Sequence, residues 1–464
     1  MKTSSRSEIR KQKDCSAPGA AMLWDESFLW GVMAHKALKG SGLSCDLIRS
    51  DDVRSGKLRN YTLLFVPGGW ASNKIKALGN DGIEEIKRFV HDGGAYLGFC
   101  GGAGLANMDG IGLVPVKRRP TKDRVPSFSG RIGLNITSHP AWEGLCNSER
   151  PCTRASALVI AGRRHKTQSS QPVFHAWWPS QFVVENESAT VLASYGEAMP
   201  DSFSSDVNVG DAESIQKWSD LERIYQINLD PKRLQGEPAV IEDAFGKGKV
   251  VLSLIHFDTP GDANGETVLK NIWKYLVPNG DCGMPPIKSF EGRLHEELLE
   301  DEPKNAAPGI LETELISEIE TAAAGLIDLG CRNFLWFWRN PLLLQWRRGV
   351  RGLEYCTLSV MVKELVESLR HGATSCTSSD LGRIRELLLP FADKAKRLLL
   401  MERYAMQNGH ITYEKCDDPE IQSIREELFS RSKSYGGLFK RLIDEIDGSL
   451  FNVLTETGTK KGAS

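Results

Sequence analysis

Across residues 20–280, short apolar runs alternate with segments of helical periodicity, and this alternation limits the chain to few folds. Strands buried on both faces read as continuous apolar runs, and parallel neighbours need a crossover helix between them. The rhythm therefore predicts an α/β fold with a largely parallel sheet. Strands are expected over 20–24, 44–48, 62–66, 95–98 and 189–195, and helices over 28–38, 81–91 and 266–277. In the second helix Ile83, Ile86, Phe89 and Val90 share a face, and Gly93-Gly94 ends it. Runs at 239–245 and 250–255 flank Gly246-Lys247-Gly248-Lys249 as a hairpin; Val250 cannot ligate magnesium, so this is no phosphate-binding loop.

With 464 residues there is room for more than one domain. Residues 1–19 are expected to be a polar tail, 20–280 the α/β domain, 281–308 a Pro-rich, acidic linker, 309–455 a helical domain and 456–464 a second tail. Within the helical domain the periodicity predicts helices over 312–329, 353–369, 381–401 and 420–447, the third kinked at Pro390 and the last broken at Gly436-Gly437, with no strand pattern. The stretches 334–341 and 346–351 mix Phe and Trp with Arg and are read as bundle core whose guanidinium heads reach solvent. Such a bundle is expected to serve a protein partner or self-association.

Composition excludes several classes. Lys plus Arg total 58 against 60 for Asp plus Glu, so the net charge of −2 offers no field for nucleic acid. No apolar run reaches the roughly 18–20 residues of a spanning helix, and residues 1–19 lack a signal-peptide core, so a cytoplasmic protein without a transmembrane segment is expected. The ten cysteines show no C-x-x-C spacing; neither a metal nor a cofactor is expected.

The chemistry concentrates in Tyr96-Leu97-Gly98-Phe99-Cys100-Gly101-Gly102-Ala103-Gly104, an apolar strand meeting a cysteine among small residues ahead of a helix. This is the sequence form of a nucleophile elbow, where neighbours without bulk let the turn close and a helix N-terminus favours thiolate. A thiolate needs a base. His256, leaving a strongly apolar strand, is the candidate, with Asp258 two positions on to orient it. His35, His91, His139 and His175 are rivals by residue type. Pro67-Gly68-Gly69-Trp70 ends the third strand in two glycines, so the Gly69 and Gly101 N–H groups are candidate oxyanion donors. Trp70, His175 and Trp177 are candidate pocket residues, while Asp262 and Asn264 suit a helix cap.

The order PGGW at 67–70, GFCGGAG at 98–104 and His256-Phe257-Asp258 resembles the class I glutamine amidotransferase-like superfamily, which implies a flavodoxin-like sheet. More closely, 20–279 is similar to the N-terminal domain of biotin-protein ligases in its free-standing bacterial form. The resemblance implies Cys100 as nucleophile, His256 as base and acid, Asp258 as orienting acid, Gly69 with Gly101 as oxyanion hole, and a small amide or acyl compound as substrate. The acid is one methylene shorter than the Glu usual in amidotransferases; relatives place an acid after the first strand, where Asp25 and Glu26 stand here. No synthetase domain follows to receive ammonia, and no Gly-Arg-Gly-Arg adenylate loop occurs in 281–464, so biotin ligase activity is not expected. The alternative implied is a non-catalytic ligand- or partner-binding module on the same fold.

Overall fold

The structure is a computed structural model that describes residues 19–125, 127–145, 171–185, 189–215, 217–277, 310–408, 412, 416–431 and 434–459. The expected linker 281–308 and the tail 1–18 lie outside the described residues.

Five parallel strands form the half of the sheet that matters for function: β1 (Ala20–Leu23), β2 (Asp46–Ile48), β3 (Leu63–Val66), β4 (Ala95–Phe99) and a later strand, Gly248–Ser253, in the order β2-β1-β3-β4-(248–253). All residues of β1, β3 and β4 are buried, as expected of strands covered on both faces. Read from its edge, this is the 2-1-3-4-5 order of flavodoxin-like sheets, whose sites lie beyond the carboxyl ends of the strands.

Beyond Gly248–Ser253 the sheet continues antiparallel. The intervening strands are β5 (Lys117–Arg118), β6 (Phe128–Ile136), β7 (Val173–Trp177), β8 (Phe182–Val183), β9 (Thr190–Ala198), β10 (Phe203–Ser204), β11 (Val207–Asn208) and β12 (Pro238–Phe245), with β13 being Gly248–Ser253. β12 and β13 form the expected hairpin around Gly246-Lys247, and β12, β9, β6, β10 and β11 extend the sheet. β5 and β8 pair separately.

Helices cover both faces. The helix after β3 is longer than periodicity suggests. It runs Ala71–His91 with non-helical geometry at Gly79 (φ 61°), so a first segment precedes the expected one. The helix Ala263–Leu276 is capped by Asp262, whose Oδ1 accepts from Gly265 N at 2.9 Å.

The C-terminal region is helical as expected, with helices Ile310–Arg332, Gly352–Arg370, Ser378–Asn408 with Pro390 inside it, Pro419–Phe429 and Gly437–Thr459. The last runs past residue 455. One expectation fails: the aromatic stretch is a β-hairpin, β14 (Trp336–Asn340) and β15 (Leu343–Trp346), not bundle core. Asn340 Oδ1 accepts Leu342 N at 2.8 Å and Pro341 sits in the turn, so Asn-Pro reverses the chain where a helix would have to continue. Trp336 pairs with Trp346 across the strands and donates Nε1–H to Ile327 O at 3.0 Å.

This hairpin joins the helical region to the sheet. Gln345, 7% exposed, donates Nε2–H to Ser205 O at 2.6 Å and accepts the Ser129 hydroxyl at 2.8 Å. Arg339 lies 4.7 Å above the Phe203 ring and donates to Asp201 O at 3.2 Å, so its charge reaches the sheet rather than solvent. Because the Ser129 hydroxyl is buried, Gln345→Ala leaves it and the Ser205 carbonyl without their partner. The expected loss is about 1–3 kcal/mol, read as a lower urea midpoint at unchanged slope.

Candidate active site

Four strand ends converge. β1 delivers Asp25 to Phe28, β3 delivers Gly68-Gly69-Trp70, β4 delivers Cys100, and β13 leads into His256 and Asp258. The elbow has the expected form. Cys100 caps the short helix Gly101–Ala106 at φ 47°, ψ −99°, a left-handed φ that is unusual for a residue with a side chain. Its N–H donates to Ser253 O at 2.8 Å, fixing the turn to the end of β13. Only glycine fits beside it: a Cβ on Gly101 would lie 2.0 Å from Gly69 O, and one on Gly102 would lie 1.9 Å from Val66 O. The same close approach sets Gly69 N 2.9 Å from the position of that Gly101 Cβ, so the two candidate oxyanion donors are neighbours.

His256 and Asp258 are both fully buried, and Cys100 is partly exposed. His256 Nδ1 lies 2.9 Å from Asp258 Oδ1, so the shorter acid does reach the imidazole. Nε2 is buried without a tight hydrogen bond, and the Cys100 thiol meets the ring through a looser contact, as catalytic pairs without substrate often do. Burial pulls the imidazole down, but the charge and hydrogen bond of Asp258, with Cys100 adding to them, outweigh it and hold His256 up at about 10. Burial pushes the Cys100 thiol up; the His256 contact and the Arg118 charge outweigh that, and the thiol is lowered overall. Both shifts favour the charged forms, thiolate at Cys100 and imidazolium at His256.

Asp25 and Glu26 are engaged elsewhere. Asp25 accepts Arg49 Nη1 at 2.7 Å and Ser50 N at 2.6 Å; Glu26 accepts Asn73 Nδ2 at 3.1 Å and pairs with Lys440 at 3.1 Å. Arg49 also reaches Asp447 at 3.3 Å, so the loop after β1 is tied to the last helix of the C-terminal region.

His175 and Trp177 pack against the turn after β13. His175 pairs with Asp262 Oδ2 at 2.7 Å, and its carbonyl accepts His256 N at 3.0 Å. Trp177 donates Nε1–H to Thr259 Oγ1 at 3.0 Å. Together they brace the turn that carries His256 and Asp258. Trp70 caps the helix Ala71–His91, its carbonyl accepting Asn73 N and Lys74 N at 3.0 Å. His139 caps the Pro140–Trp142 turn, and His91 is exposed at a helix end.

Three features of the site emerge only in the fold. Trp30 stacks on His256 at 4.6 Å and 25°, Trp178 meets Trp30 edge-on at 5.9 Å, and Trp346 of the hairpin stacks on Trp178 at 5.0 Å. A continuous aromatic column thus runs from the imidazole to the helical region. Lys74 is fully buried, donating Nζ–H to Asp25 O at 2.9 Å and to the Ser27 hydroxyl. Burial lowers it to about 7, against the opposing pull of Glu26, Asp25, Asp447 and Cys100. Arg118 packs on the elbow helix at Gly104. Among the described residues no group of three or more His, Cys, Asp or Glu is placed to hold a metal, and no helix is long and apolar enough to cross a membrane.

No curated protein matches the sequence. Solved structures of similar form include a candidate GMP synthase protein from Thermoplasma acidophilum, 12% identical, covering 56% of this chain and 94% of that one, with a TM-score of 0.34. A β-galactosidase from Bacillus circulans sp. alkalophilus is 15% identical over 56% of this chain and 31% of its own, with a TM-score of 0.31. A cytoplasmic protein from Salmonella typhimurium LT2 is 11% identical over 53% and 86%, with a TM-score of 0.30. Residues 57–109, which span β3, the glycine pair, β4 and the cysteine elbow, match the family described as biotin-protein ligase, N terminal.

Proposed function

We propose that this protein is a cysteine-dependent amidohydrolase acting on a small amide or acyl compound. One observation carries the reading: a buried His256–Asp258 contact of 2.9 Å beside a cysteine held at a left-handed φ on a strand-to-helix turn. In this reading the Cys100 thiolate attacks the substrate carbonyl carbon, forming a C–S bond as the carbonyl electrons move onto oxygen. The Gly69 and Gly101 N–H groups receive that oxyanion. Collapse expels the amine, which takes a proton from the His256 imidazolium and leaves a thioester. Water then attacks the thioester, giving its proton to His256, and collapse breaks the C–S bond, releasing the acid and restoring the thiolate beside the imidazolium. Asp258 holds the imidazole by Nδ1 throughout, keeping Nε2 for the proton.

The lack of a Gly-Arg-Gly-Arg adenylate loop in 281–464 leaves biotin transfer outside this proposal. The helical region is proposed as a separate domain that flanks the site through the aromatic column. The full burial of His256 and Asp258 favours a second reading, a binding module that keeps the fold without turnover.

Ammonia or amine release from a panel of small carboxamides separates the two. Cys100→Ala is expected to abolish release, and Asp258→Asn to lower kcat by about 10²–10⁴, the range for an imidazole left in the wrong tautomer. Release that persists in Cys100→Ala excludes Cys100 as nucleophile. The pH profile of alkylation gives an independent check. The thiol is lowered from its ordinary value of ~8.5, so alkylation of Cys100 should already be fast at pH values where an ordinary thiol has slowed. In His256→Gln the supporting charge is gone and the profile moves up in pH. A wild-type profile that rises only near ~8.5 contradicts the ion pair.

A further inference from the structure

Charge around Cys100 is not balanced. On the side of the loop after β1, the Lys74 ammonium lies among the carboxylates of Asp25, Glu26 and Asp447. Positive charge at the thiol comes from Arg118 and Arg124. β5 lays Arg118 on the elbow helix so closely that a Cβ on Gly104 would lie 2.6 Å from Arg118 Cζ and 2.7 Å from both Nη atoms. Gly104 is one turn beyond Cys100, its N–H donating to Cys100 O at 2.9 Å. Arg118 therefore packs on the elbow helix within a turn of Cys100, and its charge acts on the thiol.

Arg124 follows the short turn Thr121–Asp123, and its Nε–H donates to Arg119 O. It is partly buried near Tyr195 and Cys100, and burial, then the Arg118 charge, lowers it to about 10. Between them Arg119 is neutralised by Glu237 at 2.6 Å. Neither Arg118 nor Arg124 forms an ion pair with a carboxylate among the described residues. The Arg118 and Arg124 charges repel, Asp109 opposing this at Arg124, and each guanidinium offers the planar fork that grips a carboxylate by both oxygens.

We propose that Arg118 and Arg124 are the substrate-recognition half of the Cys100 site, and that the substrate is a small amide or acyl compound of net negative charge whose carboxylate they hold. The proposal rests on the reading of Cys100 as the nucleophile. It goes beyond that reading by assigning the charge of the substrate and two specificity residues.

The test uses two alkylating reagents that differ in charge, iodoacetate and iodoacetamide, on the full chain at neutral pH. Rates at Cys100 are resolved by peptide mass spectrometry in native and denatured protein. The native-state ratio of iodoacetate to iodoacetamide rates is expected to exceed the denatured-state ratio by about tenfold, the size of effect that one or two nearby cations exert at an effective dielectric of ~20. Arg118→Gln and Arg124→Gln should each lower that ratio, and the double variant should bring it to the denatured value. Arg118→Lys, which keeps the charge, should retain most of it. Cys356, fully buried, reports folding in every variant by staying unreactive. A native ratio equal to the denatured one, with fast iodoacetamide reaction, overturns the anion site alone. A raised ratio that survives the double variant overturns the assignment to these two arginines. Slow reaction with both reagents in folded protein overturns the nucleophile reading, and the proposal with it.

Discussion

The site depends on the hydrogen bond between His256 Nδ1 and Asp258 Oδ1, made at 2.9 Å with both side chains out of contact with water. An imidazolium at that depth is unfavourable unless an anion meets it, and Asp258 supplies one. The same pair then makes a thiolate at Cys100 tolerable. Behind it, the turn is fixed by His256 N on His175 O, by Trp177 on Thr259 and by His175 on Asp262, so the ring is held from its backbone as well as from its acid.

Around that pair the backbone is under local strain. Glu26, Phe28, Cys100 and Trp178 all have φ between 47° and 56°, and all four border the site. Such residues cost on the order of 1–3 kcal/mol each and persist where surrounding contacts over-determine them. Here those contacts are visible. Lys74 holds the Asp25 carbonyl, Lys440 holds Glu26, and Tyr435 packs on Phe28 at 5.3 Å. Two of these three come from the C-terminal region, and Trp346 adds a fourth through Trp178. The helical region thus does more than follow the α/β part in sequence: it fixes the loop after β1 and closes the aromatic column over His256.

Much of this was legible in the residues. The elbow could be read because a strained turn admits only small neighbours, and Gly101 and Gly102 face backbone at 2.0 Å and 1.9 Å from any Cβ they might carry. The β12–β13 hairpin and the Asp262 cap follow from local chemistry that tertiary contacts do not override. What could not be read was decided between distant segments. Trp30 and Lys74 lie on ordinary amphipathic helices, where packing is the default, and only the folded chain puts one on His256 and the other under the loop after β1. Arg118 is one of three arginines within eight residues, and nothing local tells the one on Gly104 from the one paired with Glu237. The β14–β15 hairpin escaped because a short aromatic run inside helical sequence has no length to set its period, and its stability comes from the sheet it meets.

The claim that unites these features is that Cys100 and His256 form an ion pair at neutral pH. It is tested most directly by ¹⁵N-histidine NMR of the full chain, with His256 assigned by loss of its signals in His256→Gln. The account predicts imidazolium shifts at His256 that persist through neutrality and give way only as pH approaches about 10. In Cys100→Ser the transition should move down, because one of the two anions supporting the charge is gone. A His256 ring that is neutral at pH 7, or that titrates near the ordinary value of ~6.5, contradicts the ion pair and the chemistry built on it.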